Sequence, residues 1–485
     1  MHRGIVVTPR TVSSSYTKRT SWLSTQAARV TSIREAVASG TLAAAQDNIN
    51  VQGWVSSVRL HKQTSFVALS DGSWPHSLQL VAPTSMVKPL VDKGLSTGAS
   101  VSAVGTLGMT RVGQRELVVR NLELVGASSA DFPLQKKYHT PEYMREHTHL
   151  RARTPLFAAV LRARSQAASS LRATLEGDGL TWISTPILTQ NDCEGAGEVF
   201  HVSAPGKPDF FSSCSPTFLT VSGQLHLEMF ACGLSKTYTF GPTFRAEDSN
   251  TTRHLAEFWM LEPELAFASW RDAAALASRC VAATAEAMLG RADDVALFVE
   301  HAGQHRGGAT SDEGGLEHRL KRAAALNQFA YMSYFDAVAV LDRHGLAPPA
   351  RAPLAAAHER FLVEKHCQGT PLIVHDYPRE IKPFYVLAND DGAQNTAAAF
   401  DLLVSGIGEL VGGSARESRF DVLRQRMVTD GLLPKLKWYL DLREFGTVPH
   451  AGFGMGFDRL VQFLTGLDNI RDAVPVARFP GGMQY

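Results

Sequence analysis

Residues Phe244–Glu264 read FRAEDSNTTRHLAEFWMLEPE, and this stretch decides the fold. It closes a β-branched and aromatic run, YTFGPTF, at Tyr238–Phe244. A polar loop follows, then an apolar run ending on Glu262 and Glu264. The pattern predicts a strand–loop–strand hairpin. Cations stand at both ends of the loop: Arg245 first, then Arg253 with His254. Guanidinium forks hold carboxylate and phosphate oxygens bidentately, so the hairpin is a candidate phosphate-handling site. An Arg-Ala-Glu string alone would equally suit a charged hairpin at a sheet edge.

Three further segments point the same way. SGQLHLEMF (Ser222 to Phe230) has Ser222 as a predicted N-cap and places Gln224 and Glu228 four apart, on one helical face. GELVGGSARE (Gly408 to Glu417) combines Glu409, the close backbone approach that Gly412 allows, and Arg416. HAGFGMGFDRLV (His450 to Val461) is read as a Gly-rich turn through Gly456 into a helix bearing Arg459, a ready phosphate site. Each has a plain structural alternative: a turn, a surface carboxylate, an arginine paired with Asp458. Their weight lies in occurring together and in this order.

Bulk properties set the frame. The 485 residues suggest two to four domains, and 44% hydrophobic content suits a sizeable core. A net charge of +1 means that a nucleic-acid partner would have to be held by local basic patches. The five cysteines (Cys193, Cys214, Cys232, Cys280 and Cys367) form no CxxC pair, which argues against a zinc ribbon or a disulfide framework. No apolar run reaches membrane-span length, so a soluble protein without a membrane partner is expected. Up to Arg34 the chain carries Arg3, Arg10, Lys18, Arg19, Arg29 and Arg34 and no acid before Glu35. That composition predicts a transit peptide and a mitochondrial (matrix) location, with the cytoplasm as the alternative.

From Asn48 to Val125, five short alternating runs with a helical segment after the third predict an OB-fold barrel. Arg59, Lys62, Phe66 and Gln79 on it suit stacking and edge-reading of unpaired bases. Residues 128–150 read as a hinge, followed by a helix from Pro155 to Gly177 and the run TWISTPIL ending near Pro186. The expected class is α+β: leader 1–46, barrel 47–127, hinge 128–150, and a catalytic domain 151–485 of antiparallel sheet flanked by helices, with a helical insertion at about 270–368.

The string at Phe244–Glu264 resembles the second motif of class II aminoacyl-tRNA synthetases, most closely their asparaginyl branch, and the resemblance extends over nearly all of the chain after residue 47. No HIGH or KMSKS string supports the Rossmann-type class of synthetase. The resemblance implies ATP and Mg2+ as cofactors, asparagine and tRNA(Asn) as substrates, and a homodimer built on the first motif. It assigns catalysis to Arg245, Glu409 and Arg459, with Arg245 bridging the amino-acid carboxylate and the ATP α-phosphate. Around ATP it places Ala246, Glu247, Arg253, His254, Leu255, Phe258 and Gly456, and it gives magnesium to Asp401 and Glu409. Around asparagine it places Glu194, Ser222, Gln224, Glu228, Gly412 and Arg416, and it makes Arg59, Lys62, Phe66 and Gln79 anticodon contacts.

The aspartyl branch has a Lys where this chain has Leu227, so the partner of a substrate carboxylate is gone. Glu228 is then expected to accept from an amide NH2 while Arg416 donates to the amide oxygen. Asp458 stands where the family usually has Glu, and Ala357 where bacterial relatives place a Glu. The alternatives are an aspartyl or non-discriminating enzyme, an inactive tRNA-binding paralogue, and a free-standing asparagine synthetase.

Overall fold

The computed structural model describes residues 29–38, 46–110, 113–191, 198–207, 210–211, 216–305, 315–390 and 392–485. The chain divides into two compact units, the first ending at Lys136 and the second starting at Lys137.

In the first unit, β1 (Gln46–Leu60), β2 (Thr64–Ser70), β3 (Leu78–Pro83), β4 (Ser100–Met109) and β5 (Arg115–Gly126) close into a barrel of order β1-β2-β3-β5-β4. A helix, Thr84–Val91, lies between β3 and β4, so strand count and helix position are those expected of an OB-fold. Alternate residues fill the barrel: Val67 and Leu69 on β2, Leu78 and Leu80 on β3, Val101 and Ala103 on β4. Gly105 sits where β4 shifts register against β5, and a Cβ there would run into the Val118 backbone. Of the leader, residues 29–38 are described. Ser32 and Glu35 exchange capping hydrogen bonds (3.0 and 3.2 Å) and start the helix Ile33–Ala38, whose Ile33 and Ala36 join the barrel core.

The second unit contains β6 (Thr181–Trp182), β7 (Leu188–Thr189), β8 (His201–Val202), β9 (Thr217–Leu219), β10 (Lys236–Phe244), β11 (Glu257–Ala266), β12 (Ala330–Ser333), β13 (Leu372–Pro378), β14 (Thr396–Val404), β15 (Gly408–Ala415) and β16 (His450–Gly456). Eight of them form one sheet of order β12-β13-β14-β15-β16-β11-β10-β6, while β7, β9 and β8 make a small separate one. The centre is antiparallel as expected, but both edges are parallel, β12 on β13 and β6 on β10. Long connections between those partners permit it; a tight hairpin cannot join parallel strands.

Helices Pro155–Gly177 and Trp270–Leu289 pack on one another and on the sheet. Leu171, Leu175, Val281 and Met288 share a core with Leu261, Phe400, Val411, Phe453 and Met455. The region read as an insertion, 270–368, thus begins with a core helix and also supplies the edge strand β12. The expected hinge holds two short helices, Pro141–Glu146 and Thr148–Arg151, within the second unit. Among the described residues no helix is long and apolar enough to cross a membrane.

Candidate active site

The predicted hairpin forms as β10 and β11, with Thr243 opposite Phe258 and Phe244 opposite Glu257. Beyond it, Arg245 N donates to Ala256 O (3.0 Å) and closes the neck of the loop. On β11 the residues Phe258, Met260, Glu262 and Glu264 recur at the strand period of two and line two adjoining cavities. Neighbouring β15 and β16 contribute Gly412, Gly454 and Gly456, which leave the floor open to a ligand. The stretch His450–Gly456, read as a turn, is a strand in register with β11 and β15; the helix starts only at Phe457. Glycine spacing does not tell a turn from a flat strand, and the pairing on both sides decides it.

The first cavity is bounded by Arg245, Glu247, Arg253, His254, Leu255, Phe258, Glu409, Gly456 and Arg459. Arg245 lies over the Phe258 ring, 5.4 Å from its centroid, and Arg459 Nη1 donates to Glu409 O (3.2 Å). Arg253 Nη2 is buried with no acceptor among the described residues. Burial, Arg360 and Arg459 all push the Arg253 guanidinium below its ordinary value. A buried donor without an acceptor, beside other cations, calls for an anion. His254 Nδ1 meets Thr251 Oγ1 (2.6 Å) and Ser249 Oγ (3.1 Å), and burial with Arg459 lowers its proton affinity. Ala246 is not among the lining residues; its N–H donates to Glu198 O (2.9 Å). Asp458 accepts from Trp259 N (2.8 Å) and from Arg164, which ties the helix Pro155–Gly177 to β11 and to the helix Phe457–Thr465.

The second cavity is lined by Ser222, Gln224, Glu262, Glu264, Tyr385, Gly412 and Arg416, among others. Arg416 forks onto Glu264, Nε to Oε1 at 3.1 Å and Nη2 to Oε2 at 2.9 Å, with Nη1 on Ser414 Oγ at 2.7 Å. Burial raises the Glu264 carboxyl against the pull of Arg416. Ser222 donates to Glu262 and accepts from Gln224 N (3.1 Å), while Gly223, not Ser222, occupies the N-cap position of the helix Gln224–Leu234. Glu228 departs from expectation. It is fully buried outside the cavity lining, and its oxygens are taken by Tyr439, Arg443, His450 and Gln224. Three of these bonds fall on Oε2 and one on Oε1, so the carboxylate is turned to partners in the wall and not to the cavity. Glu194 lies outside the described residues.

Asp401 and Glu409 both approach Gly412: a Cβ there would be 3.2 Å from Glu409 Oε1 and 3.5 Å from Asp401 Oδ1. Glu359, which sequence reasoning missed, accepts from Glu409 N (3.0 Å). Burial, then the Glu409 charge, pushes its carboxyl up to about 7. Lys382 Nζ is the counter-charge, 3.4 Å from each Asp401 oxygen. Asp401 and Glu409, which approach one another at Gly412, offer hard oxygens of the kind magnesium takes. Glu262 and Glu264, which line the second cavity, were also missed as site residues, although the period-two pattern from Phe258 could have found them. Nothing local marks Tyr385.

On the barrel, Arg59 pairs in register with Phe66 and its guanidinium carbon lies 5.8 Å from that ring's centroid. Arg59 Nη2 reaches Gln79 Oε1 (3.4 Å) and Gln79 Nε2 reaches Glu116 Oε2 (3.3 Å). His61 meets Phe66 edge-on, and Lys62 is exposed beside them. The structure brings the four predicted residues onto one part of the barrel surface.

A six-stranded antiparallel centre with a cation-flanked hairpin, glycine-floored twin cavities and a separate OB barrel defines a class II synthetase. Consistent with this, the family described as tRNA synthetases class II (D, K and N) matches residues 140–480, and the OB-fold nucleic acid binding domain matches residues 49–125. The chain belongs to the class II tRNA synthetase family. Its relatives include the asparagine–tRNA ligase of Thermosynechococcus vestitus, 43% identical over 90% of this chain and 97% of that protein. The Homo sapiens asparaginyl-tRNA synthetase is 41% identical, with 93% of each chain covered. Among solved structures, the asparaginyl-tRNA synthetase of Pyrococcus horikoshii complexed with asparaginyl-adenylate superposes with a TM-score of 0.79 at 29% identity, covering 90% of this chain and 97% of that one.

Proposed function

We propose that this chain is an asparagine–tRNA ligase, and one observation carries the reading. Arg245, Met260, Glu409 and Gly454 line both cavities, so a nucleotide site and an amino-acid site meet at Arg245. The asparagine carboxylate attacks the α-phosphorus of ATP in line, forming asparaginyl-adenylate and releasing pyrophosphate. Arg245, at the junction, holds the attacking carboxylate and the α-phosphate together, which supplies proximity and charge stabilisation. Arg253 and Arg459 receive the outer phosphates, and Phe258 offers the adenine a face to stack on. In the second step the terminal 3′-hydroxyl of tRNA attacks the carbonyl carbon of the mixed anhydride, the ester forms as the carboxyl–phosphate bond breaks and AMP leaves, and no protein nucleophile is required.

Asp401 and Glu409 are the residues that would hold magnesium, which when bound would neutralise phosphate charge. Selection of asparagine falls to Arg416 and Glu264: the guanidinium offers a donor to the amide oxygen and the carboxylate an acceptor for the amide NH2. The barrel residues Arg59, Lys62, Phe66 and Gln79 bind the anticodon of tRNA(Asn), a role supported by their grouping on one surface. A homodimer is supported by exposed Trp182, Ile187 and Leu188 around Pro186, the segment to which the resemblance assigns the interface. The acid-free leader supports a mitochondrial location. The test is ATP–pyrophosphate exchange on purified protein with asparagine and aspartate in parallel. Exchange with asparagine alone is expected; exchange with aspartate, or silence with both, would sink the reading.

A further inference from the structure

The short helices Pro141–Glu146 and Thr148–Arg151, in the stretch expected to be a hinge, carry two arginines that reach the far end of the chain. Arg145 forks onto Asp472, Nε to Oδ1 at 2.9 Å and Nη2 to Oδ2 at 2.6 Å. Arg151, 2% exposed, donates to the carbonyls of Val474 and Pro475, the second at 3.0 Å, and lies 3.7 Å from Asp472. Both grip one segment, the tight turn Ile470–Asp472 and the residues just after it. The same segment holds the loop between β10 and β11. Ile470 N donates to Thr252 O at 2.9 Å, Arg471 donates to Asn250 Oδ1, and Ala256 N donates to Arg478 O at 2.7 Å. Ile470 and Val474 pack with Leu255 and Phe258 in a small core of their own. Three of these four, Ile470, Leu255 and Phe258, line the first cavity.

We propose that Arg145 is a positioning residue for the nucleotide cavity: paired with Asp472, it fixes the turn Ile470–Asp472 against the loop Asn250–Ala256 and so sets where Arg253 and His254 stand. Between Phe244 and Glu257 the loop pairs with no strand, so its place is taken from contacts such as these. The Arg145–Asp472 pair suits the task. Its two side chains are about one-fifth exposed, and a bidentate fork fixes direction as well as distance. Glu142, the other carboxylate on Arg145, is 72% exposed and meets it through one oxygen at 3.3 Å. Neither Arg145 nor Asp472 lines a cavity, so both act only through the turn. The inference rests on the reading of the first cavity as the nucleotide site and adds what holds its wall in place.

The test separates ATP from asparagine. Arg145→Ala removes the fork but leaves Arg151 at 3.7 Å from Asp472, so no carboxylate is stranded. The ATP KM in pyrophosphate exchange, and the ATP Kd from calorimetric titration without amino acid, are expected to rise about five- to thirtyfold. The asparagine KM is expected to stay within about threefold of wild type. Arg145→Lys keeps the charge without the fork and should fall between. Asp472→Asn breaks the same contact, so it should show the same split. The double variant Arg145→Ala with Asp472→Asn should then match the worse single variant rather than the product of the two. A purely structural role lowers the melting temperature without separating the two KM values. Unchanged ATP affinity in folded Arg145→Ala would overturn the inference, as would both KM values rising together or a multiplicative double variant. If Arg145→Ala does not fold, Arg145→Lys and Asp472→Asn carry the test, and absence of the split in both overturns it. Wild-type protein that binds ATP yet exchanges with neither amino acid would overturn the asparagine reading, while the ATP Kd values of the variants would still decide the inference.

Discussion

Arg416 and Glu264 form a buried bidentate ion pair in the wall of the amino-acid cavity, at 3.1 and 2.9 Å, across 152 residues of sequence. Arg416→Lys keeps the charge but cannot reproduce the fork. It is expected to lower kcat/KM for asparagine by about 2–4 kcal/mol of transition-state stabilisation, roughly 30- to 1000-fold. Steady-state exchange over a range of asparagine concentrations measures this, and an unchanged kcat/KM would remove Arg416 from the site.

Arg459 lines the nucleotide cavity and donates to the Glu409 carbonyl at 3.2 Å. Arg459→Ala is expected to slow exchange by about 10²–10³-fold, as loss of a transition-state cation does. Its melting temperature should stay within about 2 °C of wild type, because no buried charge is stranded. A comparable fall in stability and activity would mean that the arginine supports the fold instead.

Asp458, 2% exposed, depends on Arg164 for its counter-charge and on Trp259 N for a further bond. Arg164→Ala strands that carboxylate and is expected to cost about 3–5 kcal/mol of stability. Chemical denaturation is the measurement. Little change would show that the anchor between the two helices is dispensable.

His254 binds its proton less readily in the folded chain, because burial and Arg459, with Arg253 and Arg245, outweigh Glu247. A base whose folded value is depressed contributes stability above its unfolded value of about 6.5, and loses it as pH falls toward the folded value. The stability of wild type should therefore fall more steeply than that of His254→Asn between about pH 6.5 and 5. Parallel slopes would show that His254 titrates freely.

The barrel is a compact unit of its own, so damage to its surface should spare the chemistry. Arg59→Ala with Phe66→Ala is expected to weaken tRNA use by about 1–3 kcal/mol for each stacked base lost, and to leave exchange unchanged. Comparing aminoacylation with exchange on the same preparation checks it. Equal loss in both assays would contradict an anticodon role.

Much of this was legible in the chain itself, and the reason is locality. The barrel strands, the β10–β11 hairpin and the helix Pro155–Gly177 are written in short-range periodicity, and each motif carries its residues within a dozen positions. Glu228 marks where that reading stops. Sequence places it on the same helical face as Gln224, but only the fold brings Arg443, 215 residues away, onto its carboxylate and takes it out of the cavity. Glu359 reaches Glu409 across 50 residues in the same way. The Gly-rich stretch His450–Gly456 became a strand because β11 and β15 flank it and supply its hydrogen bonds. The sequence alone determined the elements with a clear local period, their order and the residue types available for phosphate and amide chemistry. Tertiary structure decided which charged groups face the ligand and which are consumed by one another, because a buried charge must find its partner wherever the fold places one.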